Sequence, residues 1–162
     1  MNFESLNHFA KFGLKPSFEI DPEQLEDKYI KLQQQFHPDV LVNKDIKEQN
    51  KAIAASIAAN QAYEILKNPL KRAIYLLKLQ NIDINDDHCQ IKPDPQTLML
   101  VMQIQEQIAA GHDKQQIRNS VKSKIAGLMQ KSEKLFNSKQ YNEAAEKLIE
   151  VKYLDKILKD TK

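Results

Sequence analysis

Apolar positions recur with a helical period along most of this chain. Leu25, Tyr29, Leu32 and Phe36 fall at i, i+4, i+7 and i+11, one stripe of an amphipathic helix, with Gln24, Lys28, Lys31 and Gln35 on the other side. Local chemistry marks where this helix starts. Asp21 is placed to cap it, Pro22 suits the first helical position, and Gln24 completes a capping-box pattern. Ile20 and Leu25 occupy the two staple positions. Pro38 ends the helix, because a proline pushes the residue before it out of the α region. His37 and Asp39 are therefore expected on an exposed loop fixed by the helices around it. Loops held in this way carry function more often than packing.

The other elements follow the same logic. Phe3, Leu6, Phe9 and Ala10 predict a short helix over 3–12, closed by Gly13. Residues 14–20 read as a connector, and the polar stretch 43–50 as loop and helix entry. A third helix is predicted from about Glu48 to Lys67. Its apolar line is Ala54, Ile57, Ala58, Gln61 or Ala62, Ile65 and Leu66, with small alanines that permit a close, antiparallel approach to the preceding helix. Asn68-Pro69 stops it, and a short helix continues to Leu79. The Asn- and Asp-rich segment 80–94 reads as a linker. Asp94-Pro95 then repeats the cap-plus-proline start. Helices are expected from Pro95 to Ala110, Asp113 to Phe136 and about Lys139 to Leu158, joined by short turns into an antiparallel bundle. In the middle one, Ile117, Val121, Ile125, Leu128 and Leu135 share a face. The expected organisation is all-α, with an N-terminal helical hairpin domain at 1–79, a linker at 80–94 and a three-helix bundle at 95–162.

In the helix from Pro95, Val101, Ile104 and Ile108 suffice for an inner stripe. Leu98, Met99, Met102 and Glu106 then form another line, rotated away. In the last helix Ala144, Leu148, Val151 and Leu158 serve the core, and Ile149, Tyr153 and Ile157 make a second stripe. Two apolar stripes exceed what a small bundle needs. Methionines beside an aromatic anchor suit an adaptable partner groove. Leu98, Met99, Met102, Gln103, Glu106 and Tyr153 are therefore expected to form one partner-binding patch.

Composition narrows the function. Only 3 Gly and 6 Pro in 162 residues favour helix throughout. The net charge is +2 and the only arginines are Arg72 and Arg118, which speaks against a nucleic-acid groove. A single cysteine, Cys89, permits no internal disulfide and no CxxC pair. No signal peptide, transit peptide or membrane-length apolar run is visible, so a cytoplasmic protein is expected. No nucleophile motif, phosphate-binding glycine loop or metal-ligand cluster is present in the pattern, so neither an enzyme nor a cofactor is expected. His88-Cys89 lacks further ligands nearby in sequence.

A capped helix, a His-Pro-Asp loop and an antiparallel helix resemble the J-domain of DnaJ-type co-chaperones. Asn60-Gln61-Ala62-Tyr63 through Leu66, then Asn68-Pro69 and Arg72-Ala73-Ile74-Tyr75-Leu76-Leu77, are more specific. With Leu98-Met99, Met102 and Tyr153-Leu154-Asp155-Lys156, they resemble the HscB family of iron–sulfur cluster assembly over essentially the whole chain. The resemblance implies that His37, Pro38 and Asp39 trigger ATP hydrolysis by a DnaK-like ATPase chaperone, HscA. Lys28 and Lys31 would steer docking onto an acidic patch of that chaperone. The bundle would hold the scaffold protein IscU through the patch above. Departures are Val40, where many J-domains carry lysine, and Gln103, Gln105 and Gln107, where relatives often carry charge. The four-cysteine zinc module of eukaryotic relatives is absent from the sequence. The rival readings are a J-domain adaptor for a different client, an enzyme using His37 and Asp39 for acid–base chemistry, and a helical nucleic-acid binder with steep salt dependence.

Overall fold

A computed structural model describes residues 3–42 and 44–161, with the backbone alone at Pro38 and Leu41. A 3-10 turn over Phe3–Ser5 precedes eight α-helices among the described residues. They are α1 (His8–Lys11), α2 (Pro22–Gln35), α3 (Pro38–Leu41), α4 (Ile46–Leu66), α5 (Pro69–Lys78), α6 (Pro95–Ala109), α7 (Lys114–Asn137) and α8 (Tyr141–Asp160). The described residues contain no strand. They form two compact units, Met1–Arg72 and Ala73–Lys162, and the division falls inside α5.

The capping signals operate as expected. Asp21 Oδ1 accepts from the Glu23 and Gln24 amides at 3.0 and 3.4 Å. Asp94 and Asp113 cap α6 and α7 in the same way. Asn68 caps α5 by accepting from the Lys71 amide at 3.0 Å. Each bond satisfies an amide that the first helical turn leaves without a partner. Gly13 and Gly111 take positive φ after α1 and α6, the left-handed conformation that glycine adopts without a Cβ penalty.

In the first unit, α4 packs against α1 and α2. Successive contacts pair Glu26 with Tyr63, Tyr29 with Asn60 and Gln33 with Ser56, so α2 and α4 run antiparallel. Two expectations change here. The helix predicted over 3–12 is broken: a 3-10 turn and α1 are separated at Leu6–Asn7, and Asn7 caps α1 by accepting from the Ala10 amide at 2.8 Å. The local cap outcompetes continuation. The buried line of α4 is Ala55, Ala59, Ala62 and Leu66, not the line through Ala54, Ile57 and Ile65. Ile57 is 53% exposed. An alanine-rich helix offers several faces of similar apolarity, and packing against two neighbours selects among them. Arg72 is 8% exposed and donates to the Phe18 carbonyl at 2.7 Å and the Leu66 carbonyl at 2.6 Å. It thereby ties the 14–20 connector to the end of α4. Burial holds its pKa below the ordinary value.

In the second unit α8 packs along α7 and against α6. Ile104, Ile117, Val121, Leu154 and Ile157 form the core cluster, and Leu100, Val101, Ile108, Ile125 and Leu128 pack on it. The buried Ser132 hydroxyl donates to the Ala144 carbonyl at 3.0 Å, near the start of α8. Arg118 reaches the Leu158 carbonyl at 2.9 Å near its end, so α7 and α8 are antiparallel. The expected second stripe of α8 is mostly core: Ile149 and Ile157 are 7% and 4% exposed, and only Tyr153 among the three is open, at 38%. Segment 80–94 contributes to the cause. Ile84 is buried, and Lys152 of α8 donates to the Asn85 side chain at 2.6 Å. This segment is folded against α8, so α8 is covered on more sides than a three-helix bundle alone would cover.

Candidate functional site

The His-Pro-Asp triplet sits at a helix start rather than on an irregular loop. His37 has extended backbone (φ −63°, ψ 138°), as a residue before proline must, and Pro38 takes the first helical position of α3. His37 Nδ1 accepts from the Asp39 amide at 3.3 Å and lies 3.4 Å from Asp39 Oδ2. When the ring is neutral, this acceptance puts its proton on Nε2. When it is protonated, Nδ1–H turns to the carboxylate. Either way an N–H donor on His37 and a carboxylate acceptor on Asp39 face solvent, with side chains 59% and 88% exposed. The Pro38 side chain lies outside the described residues, as does Asn43 of the expected loop 43–50, which is helical from Ile46 onward.

A polar zip holds this turn's supporting helices. Asn60 Oδ1 accepts from Tyr29 Oη at 3.1 Å and from Gln33 Nε2 at 2.7 Å. The Ser56 hydroxyl donates to Gln33 Oε1 at 3.3 Å. Tyr29 and Tyr63 stack with centroids 4.1 Å apart, and the Tyr63 hydroxyl donates to Glu26 at 2.6 Å. That bond, chiefly, pushes the Tyr63 pKa up to about 12. Phe3 meets the Phe36 ring edge-on at 5.6 Å, next to His37.

The two lysines named for docking are placed differently. Lys31 is exposed. The Lys28 ammonium donates to the Phe12 carbonyl at 2.9 Å and the Gly13 carbonyl at 3.4 Å, capping the chain just after α1. A cation there satisfies carbonyls left over at a helix end. Lys28 therefore works inside the domain, a role that a solvated-face pattern in the sequence does not signal.

On α6 the expected patch residues do share a face. Leu98, Met99 and Met102 are 41%, 61% and 60% exposed, and Gln103 and Glu106 are exposed too. At about 100° per residue they lie opposite Thr97, Val101, Ile104 and Ile108, which face inward. Tyr153 stands on α8, in a groove of about 360 Å³ lined with Ile84, Cys89, Ile91, Pro93 and Ile149. Asp86, Asp87 and Lys92, with Lys152 and Lys156 of α8, add charge to the same groove. Among the described residues no group of three His, Cys, Asp or Glu side chains is set to hold a metal ion. No described helix is long and apolar enough to cross a membrane.

An antiparallel α2–α4 hairpin with a His-Pro-Asp helix start defines a J-domain protein, here with a second, all-helical unit. The DnaJ domain family profile matches residues 7–75, and the HSCB C-terminal oligomerisation domain profile matches residues 93–162. The chain is 30% identical over 159 residues to the co-chaperone protein HscB homolog of Vibrio vulnificus, covering 94% of this chain and 92% of that one. It is 31% identical over 156 residues to the iron-sulfur cluster co-chaperone protein HscB homolog of Arabidopsis thaliana, covering 94% of this chain but only 61% of that longer protein. The crystal structure of human co-chaperone protein HscB superposes with a TM-score of 0.89 at 28% identity, covering 97% of this chain and 81% of that one. The chain belongs to the HscB family of J-domain co-chaperones.

Proposed function

We propose that this chain serves iron–sulfur cluster biogenesis by stimulating the ATPase of an HscA-type chaperone and delivering to it the scaffold protein IscU. His37, Pro38 and Asp39 make the activating contact, with a donor on His37 and an acceptor on Asp39. No proton transfer to substrate is involved, so the chain acts as a regulator of another protein's catalysis and not as an enzyme. Lys31 assists the encounter, and Lys28 serves by holding α2 in place. Leu98, Met99, Met102, Gln103 and Glu106 on α6, with Tyr153 on α8, hold the scaffold. Residues 1–79 thus work as the ATPase-activating part and 95–162 as the scaffold-binding part, with 80–94 joining them.

The observation that carries this reading is the coexistence of two exposed sites of different character. One is a hydrogen-bonding turn at a helix start. The other is an apolar, methionine-rich helix face turned away from its own core. Joined in one chain, they raise the effective concentration of client at the ATPase and favour the chaperone conformation that grips it.

Single-turnover ATP hydrolysis by the HscA-type chaperone tests it, with and without IscU. Stimulation that needs His37, as read with His37→Gln, and that grows further with IscU is expected. Stimulation with no scaffold effect would keep the co-chaperone and assign the α6 patch to a different client. The uncharged Gln103 beside methionines favours that second reading over a charge-guided one. No stimulation at all would remove the proposal.

A further inference from the structure

Segment 80–94 is not a loose connection. Its own carboxylates fold it: Asp83 Oδ1 accepts from the Asn85 amide at 3.0 Å, and Asp86 Oδ1 from the His88 amide at 2.8 Å. An ion pair of Asp83 with Lys78 at 3.0 Å holds its start. Ile84 is 7% exposed, and Lys152 of α8 donates to the Ile84 carbonyl at 3.4 Å as well as to Asn85. Held in this way, the segment stands as a wall beside α8. Between wall and helix lies the groove of about 360 Å³. Ile91 and Pro93, both half-buried, line it from the segment, and Ile149 and Tyr153 line it from α8.

The lining decides what kind of guest fits. Asp86 and Asp87 stand against Lys92, Lys152 and Lys156, and the Lys152 ammonium is already engaged. Acids and remaining lysines balance, so the groove selects neither an anion nor a cation. The uncharged lining is aliphatic and aromatic. A preformed hollow of this size with an aromatic wall suits a large apolar side chain. Position selects whose side chain it is. Tyr153 is the α8 member of the scaffold patch. Pro93 directly precedes Asp94, the cap of α6, and the Leu98 amide donates to the Asp94 carbonyl one turn later, at 3.4 Å. The groove and the α6 patch therefore adjoin at the start of α6.

We infer that the scaffold protein inserts an apolar side chain into this groove, between Tyr153 and the edge formed by Ile91 and Pro93. Segment 80–94 is then a wall of the client site as well as a connection. The inference rests on the scaffold-binding reading above and deepens it.

Cys89 lines the groove and is the single thiol of the chain, so it reports occupancy without any mutation. The test measures alkylation of Cys89 by iodoacetamide in the full chain, with and without IscU, followed on the Cys89 peptide by mass spectrometry. Calorimetry with IscU accompanies it for the wild type, Ile91→Ala, Tyr153→Ala, the double variant and Leu98→Ala. Far-ultraviolet circular dichroism and urea unfolding check each fold. Saturating IscU should slow Cys89 alkylation about tenfold, because mass action leaves few free chains. Ile91→Ala should weaken binding about fivefold and Tyr153→Ala about tenfold, the scale of interface anchors. The double variant should lose less than the product of the two, because both walls grip one side chain. The wild-type alkylation keeps the test open if Ile91→Ala disturbs the segment. IscU that binds, and binds less well to Leu98→Ala, with Cys89 alkylation unchanged would overturn this inference and leave the scaffold reading intact. Protection of Cys89 with full affinity in a folded Ile91→Ala would also overturn it, since the scaffold would then lie over the groove without entering. Protection that grows with the concentration of this chain alone would overturn it in favour of a second copy. No IscU binding at all would overturn both readings together.

Discussion

The α2–α4 hairpin of the first unit and helix α8 of the second are held by different means, although the first unit also buries Phe9, Phe12, Phe18 and Leu66. In α8 of the second unit, Leu148, Ile149, Val151, Leu154 and Ile157 are all buried, so large side chains pack around most of its circumference. In α2 of the first unit only Leu25 is buried, and the facing line of α4 is three alanines and one leucine. An alanine hides far less apolar surface than a leucine, at about 0.8 kcal/mol per buried methylene. The first hairpin compensates with a ladder of side-chain hydrogen bonds and one aromatic stack. Hydrogen bonds at a partly exposed seam are worth about 1 kcal/mol each net, and their loss is felt locally. The bundle is thus a rigid platform for the α6 patch. The hairpin near His37 is a lightly fastened element, the kind from which partner-responsive segments are drawn.

The largest expected effect breaks the apolar side of this contrast. Leu154 is 1% exposed, and Leu154→Ala should destabilise the second unit by about 3 kcal/mol. Urea unfolding reports it, and a loss under about 1 kcal/mol would mean that the bundle core is not close-packed. A second substitution sharpens the contrast between core and patch on one helix or its neighbour. Leu98→Ala or Tyr153→Ala should weaken scaffold binding by roughly 1–2 kcal/mol in calorimetry while the unfolding midpoint stays within error. Unchanged affinity in both would remove the patch assignment. Next comes the polar zip. Asn60→Ala strands the partners of one acceptor and should cost about 1 kcal/mol, seen as faster amide exchange in α2 with the α6–α8 amides unmoved. Equal acceleration in both units would show that they do not open separately.

The smallest effect is a titration. Tyr63 is raised from 10.0 to about 12, first by its hydrogen bond to Glu26. The folded state therefore keeps a proton that the unfolded chain releases. This contribution to stability is fully present below pH 10 and is lost as pH rises through about 12. Ultraviolet difference absorbance should find one late-titrating tyrosine in the wild type and none in Glu26→Gln. A late tyrosine that survives in Glu26→Gln would assign the shift to burial instead.

Much of this was legible in the sequence. Asp21, Asp94 and Asp113 announce three helix starts, Gly13 and Gly111 two ends, and Pro38 the break at His37. The α6 patch was legible because Val101, Ile104 and Ile108 already account for an inner face, which leaves Leu98, Met99 and Met102 without a core role. Other features were not. Lys28 reads as a solvated lysine, and only the return of the chain after α1 brings the Phe12 carbonyl within reach of its ammonium. Ile57 reads as part of the apolar line of its helix, yet it is 53% exposed, on a face away from the buried Ala55, Ala59 and Ala62. Ile149 and Ile157 read as surplus apolar surface because nothing local announces that segment 80–94 folds back over α8.

The sequence by itself determined the helix starts marked by Asp21, Asp94 and Asp113, the ends marked by Gly13 and Gly111, and which residues form the His37–Asp39 turn. Those outcomes depend on interactions within about four residues, between a cap and its amides or a proline and its predecessor. Tertiary structure alone decided which face of α4 is inside, that Ile53 and Ile57 are outside, and that α8 is covered on several sides. Burial depends on partners distant in sequence, and an alanine-rich or all-round apolar helix satisfies its own backbone equally well whichever face is covered.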